Sequence, residues 1–263
     1  MECGLKNKVA LVAASSRGLG KAIAWALAKE GTKLVICARD KKVLEKTADD
    51  ILLKTGVTVF PLAIDLTEVS QIHWLMDETL DLFGRVDILI TNAGGPPSGE
   101  FGDLQSADWK QANQLTLMSA VHLSQAVIPG MQKQKWGRII HLASVTARQP
   151  ADNLTLSNIF RPAVIGLTKD LARQYAKDNI LVNAVCPGYF LTDRVRQLVR
   201  AKAEKSKQKE EKLLKEMTRQ IPLGRMGDPA ELASMVVFLA SENANYITGS
   251  VFTIDGGLVK GLY

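Results

Sequence analysis

Cysteine is scarce in this chain: Cys3, Cys37 and Cys186 are three in number and widely spaced. An odd, scattered set excludes a disulfide framework and fits a reducing compartment. Long apolar runs are also missing. No stretch of ~18 apolar residues occurs, which argues against a membrane-spanning helix. The opening Met1-Glu2-Cys3-Gly4-Leu5-Lys6 has no apolar signal-peptide core, so a cytoplasmic location is expected. The net charge of +6 is not spread evenly: between Asp193 and Met217 nine Lys/Arg face five Asp/Glu, which accounts for +4. That stretch has neither a nucleic-acid-binding motif nor aromatic residues for stacking, so no nucleic-acid partner is expected. No metal site is assigned.

The chain has 263 residues, 46% of them hydrophobic, enough to bury one large core. Neither an internal repeat nor a linker is visible, and residues 1–263 read as a single domain. Short, near-continuously apolar runs alternate with helical patterns. Strands are expected at 8–13, 33–38, 57–64, 86–91, 137–142, 180–185 and 251–254. Helices are expected at 18–30, from 39 or so to 55, and at 68–83, 107–135 and 228–241. One more runs from a start somewhere between Leu156 and Pro162 to Lys177. Strands apolar on both faces, alternating with helices, predict a Rossmann-like, doubly wound parallel α/β sheet.

Ligands of such a sheet sit beyond the carboxyl ends of its strands. Polar residues and glycines collect at that rim: Ser15-Ser16-Arg17-Gly18, Ala38-Arg39-Asp40, Asp65-Leu66-Thr67, Asn92-Ala93-Gly94-Gly95, Ser144-Val145-Thr146 and Pro187-Gly188. The first of these turns opens the helix at Gly18-Leu19-Gly20. Small residues there let backbone N–H groups approach a phosphate, and the helix N-terminus adds partial positive charge.

The order and spacing of these pieces, with Thr192 and Asp255-Gly256-Gly257, resemble the short-chain dehydrogenase/reductase family over essentially the whole chain, and most closely its 3-oxoacyl-carrier-protein reductase-like branch. The resemblance implies a nicotinamide cofactor lying across the strand ends. Ser15, Ser16, Gly18, Leu19 and Gly20 would line the pyrophosphate turn. Asp65 would take the adenine amino group with Leu66 beside it. Asn92, Ala93 and Gly94 would line the adenosine ribose, and Pro187 and Gly188 would close the far end. Ala14 departs from the glycine usual in the family; at positive φ it costs about a kcal/mol or more.

Cofactor choice follows from charge. NAD-dependent members carry an acid at the end of the second strand for the ribose 2′-hydroxyl. Here that position is Ala38, followed by Arg39, and Arg39 with Arg17 suits a 2′-phosphate. NADP(H) is expected in preference to NAD(H).

The catalytic positions depart from the family. Its reaction uses a serine, a tyrosine, a lysine four residues after the tyrosine, and an asparagine that holds a relay water. Ser144 matches the serine. The tyrosine position is Ser157, the lysine position Arg161 and the asparagine position Thr116. A phenol titrates near ~10 and a neighbouring cation brings it into reach; an aliphatic hydroxyl lies far higher and an arginine keeps its proton. Ser157 and Arg161 at i and i+4 share a helix face, unless Pro162 begins the helix, which would move Arg161 away. Tyr189 reads as an aromatic wall and His141 as a satisfied strand residue. Arg148 and Asp152 read as solvated loop charges.

The segment 192–221 has apolar ends (Val195, Leu198, Val199; Leu213, Leu214, Met217, Ile221) and a charged middle. It reads as a helical hairpin or bent helix forming a lid over the cleft; its charged middle reads first as a solvated helix face with its own Glu/Lys pairs, and second as charge suited to an anionic substrate such as an acyl thioester. Three functions remain open. The first is an NADP(H)-dependent oxidoreductase of a carbonyl or secondary alcohol with an altered proton relay, using Ser144, Ser157 and Arg161. The second is a cofactor-binding protein without turnover, and the third a redox-neutral lyase or isomerase. Apolar surplus at 105–135 and 156–177 predicts a homo-oligomer, a tetramer or dimer.

Overall fold

The computed structural model describes residues 2–262, the side chains at 194, 202 and 205 excepted. Seven parallel strands form one sheet. In chain order they are β1 (Val9–Val12), β2 (Lys33–Ala38), β3 (Val59–Ala63), β4 (Ile88–Thr91), β5 (Gly137–Leu142), β6 (Ile180–Pro187) and β7 (Val251–Ile254), and in space they run β3-β2-β1-β4-β5-β6-β7. Val12 pairs with Ile36 on one side and Ile90 on the other. The winding therefore reverses between β1 and β4, and the rim above that reversal is where a doubly wound sheet opens a crevice.

Strand alternation builds the two cores. Ala10 and Val12 point to one face, with Leu34 and Ile36. There they meet Ile23 and Leu27 of α1 (Gly18–Lys29), Leu44 and Ile51 of α2 (Lys41–Thr55), and Leu232 and Val236 of α9 (Pro229–Ala240). Leu11 and Val35 point the other way, with Leu89, Ile139 and Val182. That face is covered by Ile72 and Leu75 of α3 (Val69–Phe83), Leu123 and Val127 of α5 (Ser119–Gln134) and Ala172 of α6 (Thr155–Tyr175). Helices on both faces are why the strands carry no polar alternation.

Several boundaries differ from those expected. β3 is confined to Val59–Ala63, and β6 runs two residues further, to Pro187. The helix expected over 107–135 is interrupted: α4 (Ser106–Asn113) passes into a π-helical turn at Gln114–Met118 before α5. Pro162 lies inside α6 rather than at its start. Its missing N–H leaves Asn158 without that helical partner, yet the preceding two turns are pinned from outside. Leu156 is buried, the Asn158 amide bonds both backbone groups of Ala151, and Arg161 bonds β5. Tertiary contacts override the local preference of a residue before proline.

The segment after β6 is a helical hairpin, α7 (Asp193–Ser206) and α8 (Glu210–Arg219), turning through Lys207 at φ +52°. Val195, Val199, Leu213 and Ile221 form a small core with Met226, as the apolar spacing of the segment's ends requires. Of its basic residues, Arg194, Lys202 and Lys205 have side chains outside the described set. No described helix is long and apolar enough to cross a membrane.

Candidate active site

The first turn is built by close approach. Ala14 has φ +47°, the left-handed region that disfavours a Cβ, and its carbonyl accepts from the Asn92 amide at 3.2 Å. Asn92 thus ties the end of β4 to the turn after β1. A Cβ placed on Gly20 would stand 2.3 Å from that same Ala14 oxygen and 2.9 Å from Asn92 Nδ2. Gly20 is therefore a packing glycine, buried beneath the turn rather than part of the cleft wall. Ser15 is likewise turned inward: fully buried, its hydroxyl donates to the Val12 carbonyl at 2.7 Å. That corrects the expectation that Ser15 faces a ligand.

Two cavities open along the rim. One, of about 620 Å³, is lined by Ser16, Arg17, Arg39 and Asp40, and by Asp65 and Leu66. The Asp65 carboxylate is held by the backbone N–H and hydroxyl of Thr67, at 2.9 and 2.8 Å. The other, of about 530 Å³, is lined by Gly18, Leu19, Asn92 and Ala93, by Ser144, Ser157 and Arg161, and by Pro187, Gly188 and Tyr189. Both are lined by Ala14, Arg17, Arg39, Gly94 and Gly95, so they form one cleft across the strand ends. A Cβ on Gly94 would meet nothing within 4 Å, and the cleft runs unobstructed past it.

The end of β2 carries an acid the sequence reading passed over. Asp40 Oδ2 pairs with Arg17 Nη2 at 3.2 Å, while Oδ1 caps α2 through the Val43 N–H. Both partners of the ion pair are more than half exposed, so the pair is weakly held.

At the other end of the cleft, Ser144 closes β5. Its hydroxyl oxygen accepts from the Thr146 N–H at 3.1 Å. Ser157 and Arg161 share one face of α6, as their spacing predicts once the helix runs through Pro162. Ser157 Oγ lies 2.9 Å from Thr146 Oγ1, and Arg161 Nη1 donates to the Leu142 carbonyl at 2.7 Å. The sequence marks Thr146 only as a rim residue after the fifth strand, and its contact with Ser157 is what the sequence reading missed. It sits two places after Ser144 and is nearly buried; only its partner across the fold marks it out. Thr116 lies in the π-turn, buried, its hydroxyl without a protein partner.

The remaining candidates fall as expected or are corrected. His141 is fully buried in β5, where desolvation pushes its pKa down to about 4. Its Nδ1 lies 2.8 Å from Thr168 Oγ1 and its Nε2 lies 3.3 Å from Ser124 Oγ, and burial keeps the ring neutral. Burial raises the Tyr189 phenol above its usual value, and the nearby Asp152 carboxylate raises it further. Arg148 is not a free loop charge: it donates to the Val251 carbonyl at 3.2 Å. Among the described residues no cluster of metal-ligating side chains occurs.

The family model described as enoyl-(acyl carrier protein) reductase matches residues 13–259. A 3-oxoacyl-(acyl-carrier-protein) reductase of Aquifex aeolicus is 36% identical over 258 residues, covering 98% of this chain and all of that one. The crystal structure of L-sorbose reductase from Gluconobacter frateurii, complexed with NADPH and L-sorbose, superposes with a TM-score of 0.95 at 34% identity and covers both chains fully. An actinorhodin polyketide ketoreductase variant with NADPH gives 0.93 at 29% identity, over 97% of this chain and 98% of that one. Likeness of this extent, in sequence and in the winding of the sheet alike, means that the chain belongs to the short-chain dehydrogenase/reductase family of oxidoreductases.

Proposed function

We propose that this protein is an NADP(H)-dependent oxidoreductase interconverting a carbonyl and a secondary alcohol, with Ser157 and Arg161 standing where the family carries tyrosine and lysine. The observation that carries the reading is the single cleft that Arg17 and Arg39 line in both of its parts, with Ser144, Ser157 and Arg161 in the second. NADPH in the sorbose reductase and ketoreductase structures supports the cofactor. So do Arg17 and Arg39, which line the cavity with Ala38, the position of a ribose-specific acid in NAD-dependent members, since arginine suits phosphate geometry.

When bound, the cofactor supplies or accepts a hydride. Gly18 and Leu19 hold its pyrophosphate at the α1 N-terminus, Asp65 and Leu66 its adenine, and Asn92, Ala93 and Gly94 its adenosine ribose. Arg161 holds the nicotinamide ribose, and Pro187 and Gly188 flank the ring. Ser144 donates to the substrate oxygen. Tyr189 and the α7–α8 hairpin wall the substrate, and the hairpin acts as a lid over the cleft. A small carbonyl compound or a 3-oxoacyl thioester is the substrate class, in line with the relatives' names. Exposed Phe101 and Ile159, beside the edge-to-face stack of Phe101, Trp109 and Phe160, support a homo-oligomer through α4 and α6.

The second reading, a cofactor-binding protein without turnover, is favoured by the same absence of a phenol at Ser157. Calorimetric titration with NADPH and NADH, followed by NADPH oxidation over a panel of ketoses, ketones and 3-oxoacyl thioesters, separates the two. Tight NADPH binding with substrate-dependent oxidation supports the first; binding without oxidation supports the second. No binding of either cofactor overturns both.

A further inference from the structure

Resting on that reading, we infer that the carbonyl oxygen is activated by a pair of aliphatic hydroxyls, Ser144 and Ser157, and that Thr146 is the positioning residue that orients both. The argument begins with proton counting. Each hydroxyl has one hydrogen to donate and can accept as well. Ser144 Oγ accepts from the Thr146 backbone N–H at 3.1 Å, which leaves its own hydrogen for another acceptor. Ser157 Oγ and Thr146 Oγ1 are 2.9 Å apart, so one of them donates to the other. If Ser157 donated, its only hydrogen would be spent inside the protein. With Thr146 donating, the Ser157 hydrogen stays free for a substrate in the cavity that both serines line.

One residue thus holds both hydroxyls, one through its main chain and one through its side chain. Thr146 and Ser157 are 5% and 9% exposed, so water competes little for the link between them. Two preset donors lining one cavity can serve one substrate oxygen as an oxyanion-stabilising site, whose strength comes from not having to reorganise as charge develops. The hydride adds to the carbonyl carbon and forms the new C–H bond. The π pair moves to oxygen, and the carbonyl is reduced as the dihydronicotinamide is oxidised. Neither serine has to ionise: the oxyanion, held by two O–H donors, takes its proton from water, and the hydroxide left behind is neutralised by solvent. The hydroxyl pair therefore does by hydrogen bonding what a titrating phenol does by proton transfer.

The test uses three variants on the intact protein with NADPH and a carbonyl substrate from the panel above. Thr146→Val keeps the backbone N–H and the side-chain shape but removes the hydroxyl. It is expected to lower kcat about tenfold, the worth of one neutral hydrogen bond, with KM within about twofold. Thr146→Ser restores the hydroxyl and most of kcat, and Ser157→Ala matches Thr146→Val. A readout without turnover accompanies these: the infrared carbonyl stretch of the same substrate bound with NADP⁺. It shifts to lower frequency in the wild type and in Thr146→Ser, and shifts less in Thr146→Val. Unchanged kcat and carbonyl stretch in Thr146→Val, or no rescue by serine, overturns the inference and leaves the oxidoreductase reading intact. Absence of wild-type turnover across the panel overturns both.

Discussion

Arg161 Nη1 and the Leu142 carbonyl oxygen, 2.7 Å apart, join the middle of α6 to the last residue of β5. The bond is made in a nearly buried setting, where an acceptor left unpaired costs about 1–3 kcal/mol. Arg161→Met is therefore expected to lower Tm by several degrees in scanning calorimetry and to weaken NADPH binding in the same preparation. A variant as stable as the wild type would show that the guanidinium is not part of the fold.

Arg39→Ala addresses the opposite end of the cleft. Loss of a charge-assisted contact to a 2′-phosphate should raise the NADPH Kd about 10- to 100-fold and leave NADH unaffected. Titration at two salt concentrations sharpens the result, because the wild-type preference for NADPH should shrink as ionic strength rises. Equal losses for both nucleotides would count against the assignment of Arg39.

Gly20→Ala places a Cβ 2.3 Å from the backbone oxygen of Ala14, which cannot swing aside as a side chain would. Overpacking of this kind costs about 1–3 kcal/mol. The displaced turn should also bind nucleotide poorly, so both the denaturant midpoint and the calorimetric signal should fall.

His141 gives a pH dependence with a definite sign. Its pKa is about 4 in the fold against 6.5 for the free side chain, so below pH 6.5 the unfolded chain binds a proton the native one does not. Stability is complete above about pH 6.5 and is lost as pH falls toward 4, at up to ~1.4 kcal/mol per unit. Glu231, held down to about 2 by Arg225, adds its loss only further into acid, below its ordinary value of 4.5. Urea unfolding at pH 7 and 5 should show the decline in the wild type and a smaller one in His141→Asn.

Much of this was legible in the sequence, for identifiable reasons. The apolar runs and their spacing carried the seven strands, because burial on both faces leaves a plain record in composition. Ser144, Arg39 and Asp65 were legible because rim loops follow strand ends. Arg161 could be placed only with its long-range contacts in view: the local rule at Pro162 pointed the other way, and the bonds to Ala151 and Leu142 outweighed it. Ser15 looked like a ligand-facing turn serine until its hydroxyl was seen bonded to Val12. Thr146 was legible only as part of a polar rim loop, since its bond to Ser157 joins it to a partner 11 residues away on another element. The π-turn at Gln114–Met118 shows no break in apolar spacing that would announce it.

The two oxygens of Asp40 do different jobs, one capping α2 and the other holding Arg17. A phosphate arriving at Arg17 displaces only the second, so α2 keeps its cap while one exposed ion pair is exchanged for another. If Arg17 holds the phosphate, Asp40 competes with it for that arginine while still capping α2. Asp40→Asn, which preserves a capping oxygen, should slow NADPH dissociation in stopped-flow fluorescence at unchanged thermal stability. That outcome would make a carboxylate that reads as helix punctuation, in kinetic terms, a throttle on cofactor residence.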